Sequence, residues 1–111
     1  MLDHIKETSE FIKQVYAEPI KTGIVLGSGL GGFAKEIDIM YSWDYKDLPH
    51  FPISTVEGHS GKLIIGKVEG EVIIALQGRF HYYEGYTLKE ATFPVRVFKA
   101  FGVDYLLVSN A

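Results

Sequence analysis

The stretch GIVLGSGLGGF, residues 23–33, is a short β-branched run that breaks into a glycine-rich turn. Gly27, Gly29 and Gly32 fit G-x-G-x-x-G, a turn whose backbone amides can approach a phosphate closely. An apolar strand running into such a turn sets an α/β architecture and leaves the ligand open. A nicotinamide dinucleotide, a nucleoside triphosphate, free phosphate and no ligand at all are each compatible with one match of this kind. A Walker A loop requires Lys and Ser/Thr directly after its last glycine, and here Phe33 and Ala34 follow Gly32. Asp44 and Asp47 lie about twenty residues on, where a ribose-binding acid is expected. However, FAKEI, residues 33–37, is too short for the long first helix of a dinucleotide fold.

Working outward, Ile5, Ile12, Val15 and Tyr16 recur at helical spacing before a stop at Glu18-Pro19, so the N-terminus reads as a docking helix. TGIVLG is the first strand, and FAKEIDIMYSW reads as a short helix or turn entering a second. DYKDLPHFPIST, residues 44–55, has two prolines and no periodicity, which predicts a surface loop. KLIIGKVEGEVIIALQGR holds two apolar runs around Glu69-Gly70, the spacing of a tight hairpin. Residues 87–101, TLKEATFPVRVFKAF, place Leu88, Ala91, Val95 and Phe98 on one helical stripe, with Thr87 as N-cap and Gly102 as C-cap. Pro94 is expected to kink or restart that helix near Phe93. VDYLLVSNA is a nearly continuous apolar strand of the kind buried on both faces of a parallel sheet. No internal repeat or linker is found. The fold class is α/β, a mixed, largely parallel sheet flanked by helices.

The composition narrows the partners. The 111 residues are 47% hydrophobic, enough for one domain with a core, and carry a formal charge of -3 without any Lys/Arg cluster. Nucleic acid is therefore not an expected partner. No apolar run reaches the roughly 18 to 20 residues of a membrane span. Acids also stand in the N-terminal stretch where a signal peptide would be apolar. A soluble, cytoplasmic protein that does not bind membranes is the expectation. With no cysteine and no ligand spacing among His4, His50, His59 and His81, neither disulfide nor metal is expected.

Three predicted strands end in small or polar groups: Leu26 before GSG, Leu76 before QGRFH and Val108 before SNA. Ligands in open α/β sheets collect beyond the carboxyl ends of strands, so these ends surround one site if they are neighbours. In QGRFHYYEGY, Arg79 is a permanent planar cation suited to two phosphate oxygens, and His81 falls on the same face of an extended segment. Together with the Ser28 hydroxyl they favour an anion pocket. A nicotinamide cofactor has no use for the pair.

VLGSGLGGF, FPISTVEGHSGKL, QGRFHYYEGY and TFPVRVFKAFGVDYLLVSNA resemble, in order and spacing, the trimeric class of purine nucleoside phosphorylases. The likeness covers the whole chain. S-methyl-5'-thioadenosine phosphorylases share that fold and look less similar in the glycine turn and around Arg79. The resemblance implies phosphorolysis of purine (deoxy)ribonucleosides, with inorganic phosphate as co-substrate, no other cofactor, and a homotrimer for the full-length family. By motif position, Ser28, Arg79, His81 and the backbone amide of Ala111 would hold phosphate. His81 would be the catalytic residue, His59 would border the phosphate and Tyr83 would contact the ribose. Family members are longer, and their purine-gripping Glu and Asn have no counterpart here. Residues 1–111 are therefore expected to be the N-terminal part of a single phosphorylase domain, inactive alone. A non-catalytic phosphate-binding or assembly module is the competing expectation.

Overall fold

A computed structural model describes residues 2–26, 35–51, 61–77 and 88–108. The first helix, α1, is Leu2–Lys13, and the first strand, β1, is Thr22–Leu26. β2 is Asp38–Asp44, followed by a 3-10 turn at Tyr45–Asp47. β3 (Lys62–Val68) and β4 (Glu71–Gln77) form the expected hairpin around Glu69 and Gly70, whose φ angles of 52° and 84° suit a two-residue turn of the primed type. Helix α2, Leu88–Ala100, and strand β5, Tyr105–Val108, complete the described elements.

The five strands form one mixed sheet in the order β2-β3-β4-β1-β5. β1 pairs in parallel with β4 on one side and β5 on the other, while β2, β3 and β4 run as an antiparallel meander. Strand periodicity divides the meander's apolar residues between two faces. Leu63, Ile65, Ile74 and Leu76 join Ile12 of α1 and Phe93, Val97 and Phe98 of α2 in the larger core. Ile24, Leu26, Ile64, Ile73 and Ala75 build the smaller core on the other face, closed in part by Ile37.

Both helices therefore cover the same face, and they are tied to each other. Lys13 Nζ donates to the Ala100 carbonyl at 3.1 Å and stands 5.1 Å from the centre of the Phe101 ring. α2 ends as expected at Gly102, with φ of 90°. Val103 N–H donates to Phe98 O and Gly102 N–H to Lys99 O, the two bonds of a Schellman cap.

Five expectations are corrected. Pro94 neither stops nor restarts α2, which runs through it from Leu88 to Ala100. The Pro94 side chain is fully buried, and that packing offsets the backbone bond it cannot make. The buried stripe of α2 is also rotated from the expected one. Phe93, Pro94, Val97 and Phe98 face the core and Val95 faces out, while the side chains of Leu88 and Ala91, and the Thr87 cap, lie outside the described residues. On the N-terminal segment, Ile12 is buried and Ile5 and Tyr16 pack against the core, but Val15 lies past the end of α1 and is exposed.

The stretch after β2 is not simply a surface loop. Tyr45, Leu48 and Phe51 are buried in the larger core, where the Phe51 ring meets Phe93 edge-on at 5.9 Å and Tyr45 at 5.2 Å. Their spacing of three follows the 3-10 turn, a period that a search for strands and long helices passes over. Finally, β5 is a strand parallel to β1 as expected, yet it is not covered on both faces. Tyr105 is 67% and Leu107 58% exposed.

Candidate functional site

The parallel register decides where the site-bearing segments begin. Leu26, the last residue of β1, is level with Gln77, the last of β4, and Val25 is level with Val108, the last of β5. At a spacing of about 4.8 Å between strands, the three carboxyl ends lie within roughly 10 Å. The condition set by the sequence, that these ends be neighbours, is met.

Each end leads into a segment singled out in the sequence. Residues 27–34 with Ser28 follow β1, residues 78–87 with Arg79, His81 and Tyr83 follow β4, and residues 109–111 with Ala111 follow β5. His59 belongs to 52–60, which precedes β3, and β3 begins at Lys62, level with Gln77 on the same sheet edge. Ser28, His59, Arg79, His81, Tyr83 and Ala111 all lie outside the described residues. What the fold brings to one edge is the set of strand ends from which their segments depart.

The described residues at that edge show how it is held. Gly61 closes the GHSG motif, and a side chain there would run into the Tyr45 ring, so glycine is required by close packing. Tyr45 N–H donates to Gly61 O at 3.0 Å, joining the end of β2 to the start of β3. Burial pushes the Tyr45 phenol far up from its ordinary pKa, and it stays protonated. Lys62 stands opposite Asp44 in the β2–β3 ladder and level with Gln77 in the next, which puts an exposed cation at the same sheet edge as the carboxyl end of β4. The sequence reading passed over Lys62 and Tyr45. The signal for Tyr45 was the small residue at 61 together with an aromatic just after a strand.

The chain entering 52–60 is pinned to α1. Thr8, fully buried, places its Oγ1 2.6 Å from the Pro49 carbonyl and 2.9 Å from the His4 carbonyl, so its one proton is shared between two acceptors. His50 adopts a φ of 62°, in the left-handed region, and its Nε2 lies 3.0 Å from Glu7 Oε2. The His4 and His50 rings stack at 3.9 Å with planes 6° apart. Glu7 is exposed, and its carboxyl is held below the ordinary value of 4.5, first by the hydrogen bond from His50 and then by the nearby imidazoles. Among the described residues no group of three or more His, Cys, Asp or Glu could hold a metal ion.

A mixed sheet with three parallel strand ends side by side defines an α/β protein of the class in which ligands collect beyond the carboxyl ends of the strands. Comparison gives the family: a model described as the phosphorylase superfamily matches residues 21–111, and the chain belongs to that family. It is similar to purine nucleoside phosphorylase 1 of Bacillus subtilis, 54% identical over 111 residues, which are all of this chain and 41% of that protein. Among solved structures it is similar to the purine nucleoside phosphorylase of Schistosoma mansoni in complex with acetate, with a TM-score of 0.88 and 39% identity, over 98% of this chain and 40% of that one. It is also similar to isoform 2 of the Schistosoma mansoni enzyme in complex with cytosine and ribose-1-phosphate, with a TM-score of 0.82 and 41% identity, over 96% and 37% respectively. The chain thus spans about two-fifths of the length of these relatives.

Proposed function

We propose that the chain supplies the phosphate-binding part of a purine nucleoside phosphorylase. The observation that carries this is the alignment of the β1, β4 and β5 carboxyl ends in a member of the phosphorylase superfamily. Ser28, Arg79, His81 and the Ala111 amide form the phosphate set, with His59 at its border. Arg79 offers two parallel donors to a phosphate dianion. His81 donates a third hydrogen bond and, as the catalytic residue, orients the nucleophile, while Tyr83 lies against the ribose. A relative whose structure holds ribose-1-phosphate accords with a sugar phosphate as the ligand.

In the reaction a phosphate oxygen attacks the anomeric carbon of the nucleoside as the bond from that carbon to the purine nitrogen breaks. The bonding pair leaves with the purine, which takes up a proton, and (deoxy)ribose 1-phosphate is released. No covalent enzyme intermediate is needed. Each charge-assisted contact to the phosphate contributes about 1.5 to 3 kcal/mol. Fixing the nucleophile against the sugar supplies roughly 7 to 11 kcal/mol of the barrier reduction.

The residues that grip the purine are not in this chain's proposed set, so the leaving group is unassisted when the chain acts alone. One missing contact of that kind lowers the rate about 100 to 1,000-fold. The test is inosine with phosphate, read by a coupled oxidase. The 111-residue chain is assayed alone and then mixed with a polypeptide spanning the part of the Bacillus subtilis relative that this chain does not cover. Turnover only in the mixture supports the reading, and turnover at an ordinary enzymatic rate by the chain alone contradicts the division of roles. An absence of turnover in a mixture shown to associate contradicts the phosphorolytic assignment.

A further inference from the structure

Two distant points of the chain meet at one side chain. Tyr45 opens the 3-10 turn after β2, and two tight turns follow it, with Leu48 N–H donating to the Tyr45 carbonyl at 3.1 Å and Phe51 N–H to the Leu48 carbonyl at 3.4 Å. They bring Phe51 back beside the residue from which they started, with ring centres 5.2 Å apart. Gly61 reaches the same ring from the other direction. Asp44 and Lys62 are the last pair of the β2–β3 ladder, so Tyr45 and Gly61 stand one step beyond it, joined by the bond from Tyr45 N–H to Gly61 O at 3.0 Å. The three atoms nearest to a side chain placed at Gly61 all belong to the Tyr45 ring. Phe51 and Gly61, both buried, are the residues that flank 52–60.

We propose that Tyr45 is a positioning residue for phosphate binding: its ring fixes the points between which residues 52–60 are strung, and through them the placing of His59. The proposal rests on the reading of His59 as a border of the phosphate site. Nine residues, 52–60, could span about 30 Å when extended, so the chain between Phe51 and Gly61 does not by itself hold those two residues together. Bringing the ends of such a segment together costs chain entropy, and here one buried ring meets that cost in the folded protein, before any ligand arrives. His59 precedes Gly61 by two residues, a reach of at most about 7 Å, so the place of Gly61 bounds that of His59. The ring is itself held in place. Tyr45 is buried in the larger core, Phe51 packs edge-on against Phe93 of α2, and Thr8 Oγ1 ties the Pro49 carbonyl to α1. A tyrosine that served the core alone would need no contact with Gly61. That contact gives the ring a hold on the chain as it enters β3.

The experiment titrates inorganic phosphate into the 111-residue chain by calorimetry and follows amide hydrogen exchange at residues 45 and 51, whose N–H groups donate to Gly61 and Leu48. Wild type is compared with Tyr45→Leu, Gly61→Ala, Tyr45→Phe, Arg79→Ala and Phe98→Leu, the last a change at a fully buried residue of α2. Gly61→Ala displaces the ring without removing it, and carries the test if thermal unfolding shows that Tyr45→Leu does not fold. Tyr45→Leu and Gly61→Ala are expected to bind phosphate roughly three- to tenfold more weakly, within what one hydrogen bond to a charged group is worth, and to exchange faster at both amides. Tyr45→Phe, which keeps the ring, is expected to restore binding, and Phe98→Leu to leave it unchanged. In a His59→Ala background Tyr45→Leu should add no further loss, because a positioning residue acts through the group it positions. Unchanged binding in both Tyr45→Leu and Gly61→Ala, an equal loss in Phe98→Leu or Tyr45→Phe, or losses that add to that of His59→Ala overturn the inference. If Arg79→Ala still weakens binding in that case, the phosphate site stands without it. Absence of binding by wild type, or binding that Arg79→Ala does not weaken, removes the phosphate reading and the inference with it.

Discussion

β3 and β5 are both strands of nearly continuous apolar sequence, LIIG within one and YLLV in the other, and the structure treats them in opposite ways. Leu63, Ile64 and Ile65 are buried by neighbours on two sides and by cores on two faces, whereas Tyr105, Leu106 and Leu107 are exposed beside a single neighbour. An apolar run therefore states that a strand is meant to be covered. It does not state which part of the polypeptide supplies the cover. β3 is covered by groups within 111 residues, and β5 is not.

The difference can be broken by substitution. The largest effect belongs to Phe98, fully buried where α2 meets the larger core. Phe98→Ala is expected to lose about 3 to 5 kcal/mol of stability in chemical denaturation. Leu107→Ala, on the exposed strand, should stay within about 0.5 kcal/mol in the same experiment. A comparable loss at both positions would mean that β5 is covered in solution.

Gly61→Ala comes next. The new methyl group runs into the Tyr45 ring, which is itself held in the core, and overpacking of this sort typically costs about 1 to 3 kcal/mol. Gly70 is the sharpening contrast, since nothing lies within 4 Å of a side chain added there and only its φ of 84° opposes substitution. If Gly61→Ala is the milder change, the junction of β2 and β3 is looser than described.

The smallest effect is pH-dependent and tests the pinning of residues 48–51 to α1. The Glu7 carboxyl is depressed in the folded protein, so its contribution is present above its ordinary value of 4.5 and is lost as pH falls through the lower folded value. Wild type should exceed Glu7→Gln in stability above that range, and the two should converge in acid. A difference that persists unchanged below the carboxylate range would assign the effect to packing and not to the contact with His50.

Much of the fold was legible because the signals were local. Two apolar runs around the Glu69-Gly70 pair marked the hairpin, and Gly102 marked the end of α2. The rest depended on contacts far apart in sequence. Pro94 is tolerated inside α2 because the core buries it, and the role of Tyr45 is set by Gly61, sixteen residues away. For the candidate site, the sequence named three strand ends, and the structure makes them neighbours. The sequence could not give their order, because β2 and β3 lie between β1 and β4 in the chain before pairing makes those two neighbours.

The central claim is that the carboxyl ends of β1, β4 and β5 serve one phosphate site. Calorimetric titration of inorganic phosphate into the wild-type chain and into Arg79→Ala tests it most directly. The account predicts saturable binding by wild type, weakened at least tenfold in Arg79→Ala, consistent with the loss of a charge-assisted contact of about 1.5 kcal/mol or more. Equal affinities in the two proteins would contradict it.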